Sequence, residues 1–97
     1  MNEQPHQQTI VLGSEYDDEL RRTLLEVLSE IGAVESTKSY GGAGSQEVQT
    51  MFVKIRAETI GVEAETYIGL SVTGEPTLVH TIADRVKKRL PRLDQPQ

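Results

Sequence analysis

From Val62 to Val72 the chain alternates strictly: Val62, Ala64, Thr66, Ile68, Leu70 and Val72 are separated by Glu63, Glu65, Tyr67, Gly69 and Ser71. Period two with one apolar side is the pattern of a strand that buries one face, and no helix can present it. A half-buried strand needs neighbours in a sheet and a second layer over its apolar side. The rest of the sequence supplies both.

Two segments have the helical period. Tyr16, Leu20, Leu24, Val27, Leu28 and Ile31 recur at steps of three and four, which predicts an amphipathic helix over about residues 15–31. Ser14 with Asp17 three residues on approximates a capping box at its start, and Gly32 supplies a left-handed terminator. Asp17, Asp18 and Glu19 fall in the first turn, where the helix dipole favours negative charge. Near the other end, Leu78, Val79, Ile82, Ala83, Val86 and Leu90 form a second apolar stripe, opened by Pro76 and closed by Pro91.

The remaining strands are shorter or less regular. Thr9-Ile10-Val11-Leu12, closed by Gly13, is a β-branched run, and residues 33–40 alternate weakly. Residues 47–58 fit either period. As a strand, Met51, Val53, Ile55 and Ala57 face one way, with Phe52 the one violation; as a helix, Val48, Met51, Phe52, Ile55 and Thr59 make a stripe. Richness in Val, Ile, Thr and Phe favours the strand. The predicted class is α+β, a two-layer sandwich of order β-α-β-β-β-α, with two helices on one face of a mainly antiparallel sheet. If 46–60 were helical the order would be β-α-β-α-β-α with parallel pairing. Residues 9–90 form one domain in this reading, with residues 1–8 and 91–97, which hold three of the four prolines, as disordered tails.

Charge is distributed unevenly. Residues 1–84 carry five Lys/Arg against fourteen Asp/Glu, whereas residues 85–97 carry Arg85, Lys87, Lys88, Arg89 and Arg92 against Asp94 alone. The net charge of −5 disfavours general nucleic-acid binding. The basic C-terminal helix is the exception: Arg85, Lys87, Lys88 and Arg89 could meet a phosphate or nucleic acid, or could simply complement the helix dipole. With no cysteine there is no disulfide, thiol nucleophile or Cys-based zinc site. No apolar run approaches the ~20 residues of a membrane span and no signal-peptide pattern opens the chain, so a cytoplasmic location and no membrane partner are expected.

Reactive constellations are sparse. Gly41-Gly42-Ala43-Gly44-Ser45 offers backbone N–H groups to an anion or small molecule. A P-loop would need lysine before Ser45, and a dinucleotide fingerprint beginning at Gly42 would need glycine where Glu47 stands. A small-molecule site here requires 46–60 to be helical, placing the loop at a helix N-terminus. Asp17-Asp18-Glu19 spread ~100° apart around an axis and cannot share one cation. His6 lies in the tail; His80 has Asp84 one turn on, but the sequence assembles neither with a nucleophile such as Ser14, Ser45 or Ser71. No catalytic residue, metal or cofactor is therefore assigned. The expectation is a non-catalytic interaction or regulatory protein, an adaptor, inhibitor or immunity-like partner of a basic protein. Its contact surface would be an acidic sheet face carrying Glu63, Glu65 and Tyr67, with Tyr40 a second exposed strand aromatic. Self-association through a sheet edge is compatible with so small a sheet.

Overall fold

The computed structural model describes residues 7–43 and 46–94, and the side chains of residues 7–34 and 49–93. In chain order the elements are β1 (Gln8–Gly13), α1 (Asp18–Ile31), β2 (Val34–Ala43), β3 (Gln46–Ile55), β4 (Glu58–Glu65), β5 (Gly69–Gly74) and α2 (Pro76–Arg89), followed by a 3-10 turn, Pro91–Asp94. Among the described residues the strands form one antiparallel sheet in the order β1-β5-β4-β3-β2. Both helices pack on one face of it. This is the expected α+β sandwich, and the strand at Gln46–Ile55 excludes the β-α-β-α-β-α alternative.

Two layers arise because each strand sorts its side chains by parity. Leu12, Leu70, Val72, Ile60, Val62, Val53 and Ile55 are buried, and they meet Leu20, Leu24, Val27 and Leu28 of α1 and Val79, Ile82, Ala83 and Val86 of α2 in one core. At the expected ~25 cal/mol per Å² of apolar surface removed from water, this shared core is the main stabilising term. The opposite face carries Thr9, Val11, Thr50, Phe52, Lys54, Glu63, Ser71 and Thr73, and no element among the described residues covers it. Phe52, which broke the alternation in sequence, lies on that open face. It stands across from Gly61, where a Cβ would lie 3.4 Å from the ring edge, so the phenyl group shields the bare glycine backbone.

The strand predicted over Val62–Val72 is folded in two. Its residues form β4 and β5, which pair Gly61 with Thr73, Val62 with Val72 and Ala64 with Leu70 about a loop of Thr66, Tyr67 and Ile68. The loop is closed by Ile68 N–H donating to the Glu65 carbonyl at 3.0 Å, with Tyr67 at φ 75° and Gly69 at φ 122°. At Gly69 a Cβ would collide with the Gly13 carbonyl oxygen of β1, so glycine is required both by conformation and by space. The β1–β5 register shifts between Val11 and Gly13, leaving Leu12 as the extra residue of a bulge that turns into the core.

Three boundaries also differ from expectation. Helix α1 starts at Asp18, capped by Asp17 instead of Ser14: the Asp17 carboxylate accepts from Leu20 N–H at 3.0 Å, while Ser14 Oγ accepts from Tyr16 N–H at 3.0 Å in the preceding turn. Asp17 competes successfully because its ionised carboxylate is the stronger acceptor at a positive helix end. Tyr16 therefore sits outside the helix, 76 % exposed. The assigned tails are shorter than expected where described: β1 begins at Gln8, and Pro91–Asp94 form a turn in which Leu93 packs on the core. As predicted, Gly32 ends α1 in the left-handed conformation at φ 100°, with Ala33 N–H donating to Leu28 C=O at 2.9 Å. Helix α2 is capped by Glu75, whose two carboxylate oxygens accept from Thr77 and Leu78 N–H at 3.2 and 2.9 Å.

The two hairpin loops respond oppositely to substitution. Gly69→Ala is expected to lose about 2 kcal/mol or more, through a strained φ and the clash with Gly13. Arg56, the first of two residues joining β3 to β4, is held at φ 59°. Arg56→Gly is expected to gain about 0.5 kcal/mol, relief of left-handed strain exceeding the added freedom of the unfolded chain. Urea unfolding of the two variants beside the parent checks both signs.

Candidate functional site

The predicted contact residues share one region but not one strand face. Glu63 and Glu65 are half-buried on β4 and alternate onto the open side, with Glu63 opposite Ser71 and Thr50. They share that side with Lys54, so the face as a whole is less acidic than the two glutamates suggest. Tyr67 is not a strand residue. It stands at the tip of the β4–β5 hairpin, 84 % exposed. Tyr40 lies in β2 opposite Gln49 in the register, and its side chain is outside the described residues.

The tip brings in residues that the sequence pattern did not group with Tyr67. Val11, Tyr16, Tyr67 and Ile68 are 50, 76, 84 and 53 % exposed, and together they line a concavity of about 380 Å³ between the hairpin loop and the turn from β1 into α1. Glu15 forms part of its wall. Three features position the cluster. The bulge at Leu12 bends the end of β1, Gly69 packs against Gly13, and the Ser14–Asp17 turn presents Tyr16. Parity could have found Val11, since Ile10 and Leu12 point inward. Tyr16 was obscured because its spacing to Leu20 matches the helix period.

The basic C-terminal segment is divided. Arg89 pairs with Glu30 and lies 3.6 Å from Glu26, while Arg92 donates to Asp17 at 2.8 Å and to Glu19 at 3.2 Å. These two arginines grip α1 near its two ends. Arg85 and Lys88 remain exposed on α2, Lys87 is half-buried, and the charge of Arg85 also acts on Glu30. The anion-seeking patch foreseen from sequence thus has part of its charge matched within the fold. Asp17 carries two tasks: one oxygen caps α1 and the other receives Arg92. The hydrogen bond from Leu20 N–H, assisted by Arg92, lowers the Asp17 pKa below the ordinary carboxylate value. Arg89 likewise lowers that of Glu30, and the amides of Leu78 and Thr77 lower that of Glu75.

The other candidates are dispersed. His80 Nε2 pairs with Gln8 Oε1 at 3.1 Å on the surface, and His6 lies outside the described residues. Gly41, Gly42 and Ala43 are strand residues of β2, and Gly44 and Ser45 lie outside the described residues. Because β3 follows, the helix N-terminus that a small-molecule site at this loop required is not formed. Among the described residues, no group of three His, Asp or Glu could hold a metal ion, and no helix is long and apolar enough to cross a membrane. Every buried side-chain nitrogen or oxygen among them has a hydrogen-bond partner. Comparison with protein-family models, with curated proteins and with solved structures finds no match.

The double role of Asp17 makes separable predictions. Asp17→Ala should lose about 1–2 kcal/mol at neutral pH, whereas Asp17→Asn, still a good cap, should lose less than half of that. Since folding depresses the Asp17 pKa, its contribution is present above the ordinary carboxylate range and lost as pH falls through the folded value. Denaturant unfolding at pH 7 and near pH 3 should show a smaller acid loss for Asp17→Asn than for the parent.

Proposed function

We propose that this protein is a non-catalytic interaction or regulatory domain that binds a basic protein partner through the hairpin end of its sheet. The supporting observation is the exposed cluster of Tyr67, Tyr16, Ile68 and Val11 around one concavity, with Glu15 in its wall and Glu65 and Glu63 next along β4. Tyrosines are effective anchors because each buries a large rigid surface and freezes few rotamers. Carboxylates beside them fix orientation and raise association rates for a cationic partner without contributing most of the affinity. An adaptor, inhibitor or immunity-like role follows from the same chemistry: a partner's apolar side chain enters the concavity while its lysines or arginines meet Glu15, Glu63 and Glu65.

The acidic face of the original expectation is in this reading a rim. The anchor is the loop, so removing the ring should matter more than reversing the charges. A surface of this kind works in a reducing or an oxidising compartment alike, because it contains no thiol; a cytoplasmic setting is part of the proposal.

Affinity capture from cell lysate, with partners identified by mass spectrometry, tests the surface when run in parallel on three variants. Tyr16→Ala/Tyr67→Ala is expected to lose the captured partner about tenfold or more, as hot-spot truncation does. Glu63→Lys/Glu65→Lys is expected to weaken capture most at low salt. Arg85→Glu/Lys88→Glu, on α2, serves as the control and should leave capture unchanged. Equal capture by all three variants would remove the hairpin end from the proposal; selective loss in the α2 variant would transfer the function to the basic helix.

A further inference from the structure

A second concavity lies away from the hairpin tip, where α1 crosses the sheet. Its floor is Leu24, Val62 and Leu70, all under 10 % exposed, and half-buried Met51 and Ala64 continue it towards β3. Leu25, 46 % exposed, stands on the helix side of the mouth. The space measures about 200 Å³. The space is open to solvent on one side and its volume is comparable to the ~150 Å³ apolar cavity that admits benzene, so it has room for an aromatic ring or a short alkyl chain lying on its floor. A ligand that settles there displaces water from apolar walls and gains dispersion contacts with them.

Among the described lining residues Arg21 carries the one formal charge. Its Nη2 donates to the Glu15 carbonyl at 2.7 Å, which anchors the guanidinium without neutralising it, since the acceptor is a backbone oxygen. The fork of a guanidinium keeps further N–H donors beyond that single bond, and their geometry matches a carboxylate. Polar Gln49, on the same side of β3 as Met51, borders the rim on the strand side.

We propose that this cavity is a binding site for a small monocarboxylate with an aromatic or short aliphatic body, its apolar part against Leu24, Val62 and Leu70 and its carboxylate on Arg21. The lining side chains of this site are distinct from those of the hairpin surface, and it lies beside the helical layer instead of at the loop end. The excess of acidic residues elsewhere repels anions at long range, so selectivity arises from the local pairing and the affinity is modest.

Methyl-labelled full-length protein titrated with benzoate, and separately with neutral benzyl alcohol, tests the proposal by NMR. Benzoate is expected to shift the methyls of Leu24, Leu25, Met51 and Leu70 and to bind about tenfold more tightly than benzyl alcohol, the usual margin of a charge-assisted pair. In Arg21→Gln that preference should vanish while benzyl alcohol binds as before, which also reports that the cavity has kept its shape. Ala64→Leu should abolish binding of both ligands with an unchanged or higher Tm. No methyl shift with either ligand at millimolar concentration would overturn the site. Equal binding of the two ligands, or a benzoate preference that survives in Arg21→Gln, would overturn the carboxylate assignment. If Ala64→Leu binds both ligands as the parent does, the cavity is not where they go.

Discussion

Burial on one side only governs this molecule. The sheet receives both helices on one face, and most of the apolar residues of β1, β3, β4 and β5 point there. Each strand then has to present its polar or small residues to the other side, whatever else they do. The open face is consequently made largely of threonines, Ser71, Gly61 and a few charges, with Val11 and Phe52 as large apolar groups exposed on it. The concavities lie at the places where this sorting rule lapses. One is the loop end, where side chains belong to neither face; the other is the margin of the helical layer, where the cover stops short of the strands.

Sheet and helices were legible from periodicity, and the one large misreading has a geometric cause. Residues Val62–Val72 alternate without fault, yet they fold back on themselves about Tyr67. The partners sum to a constant, Val62 with Val72 and Ala64 with Leu70, so an odd-numbered loop preserves parity and both arms keep their apolar residues inward. Period two alone cannot separate one long strand from such a hairpin. Two other signals could have: eleven residues exceed the usual strand length, and Gly69 is a weak strand former that commonly marks a turn or a close approach. The ambiguous segment at 47–58 was resolved by tertiary pairing between β2 and β4, with Phe52 opposite Gly61 as the detail that explains its apparent fault.

Charge was the less readable part of the sequence. The cations between Arg85 and Arg92 look like a ligand patch because sequence shows neighbours along the chain and hides those across space. The acids that answer them, Asp17, Glu19, Glu26 and Glu30, lie some 60 to 75 positions earlier on α1. The acidic start of α1, read only as dipole complement, is also one half of an interhelical clasp. Each such exposed pair is worth little alone, in the range ~0–1 kcal/mol. Their joint effect is orientational: Arg89 and Arg92 bracket α1 from one short stretch of chain and hold the last turn, with Leu93, against the core. Sequence identified the right charges and could not show which acids they face.

The hairpin tip is where stability and sequence part company. Tyr67 adopts φ 75°, a conformation that costs a non-glycine residue about 1 kcal/mol, and its ring is 84 % exposed, so it contributes little burial in return. Asparagine or glycine would serve the turn better and water would solvate either more favourably. Arg56 shares the conformation at φ 59° but poses no such puzzle, since a guanidinium in solvent is well hydrated. An aromatic ring in solvent is not. With Tyr16, Ile68 and Val11 exposed beside it, the tip has the composition of a surface awaiting cover. Folding of the isolated chain does not account for a tyrosine there; the contact proposed above would.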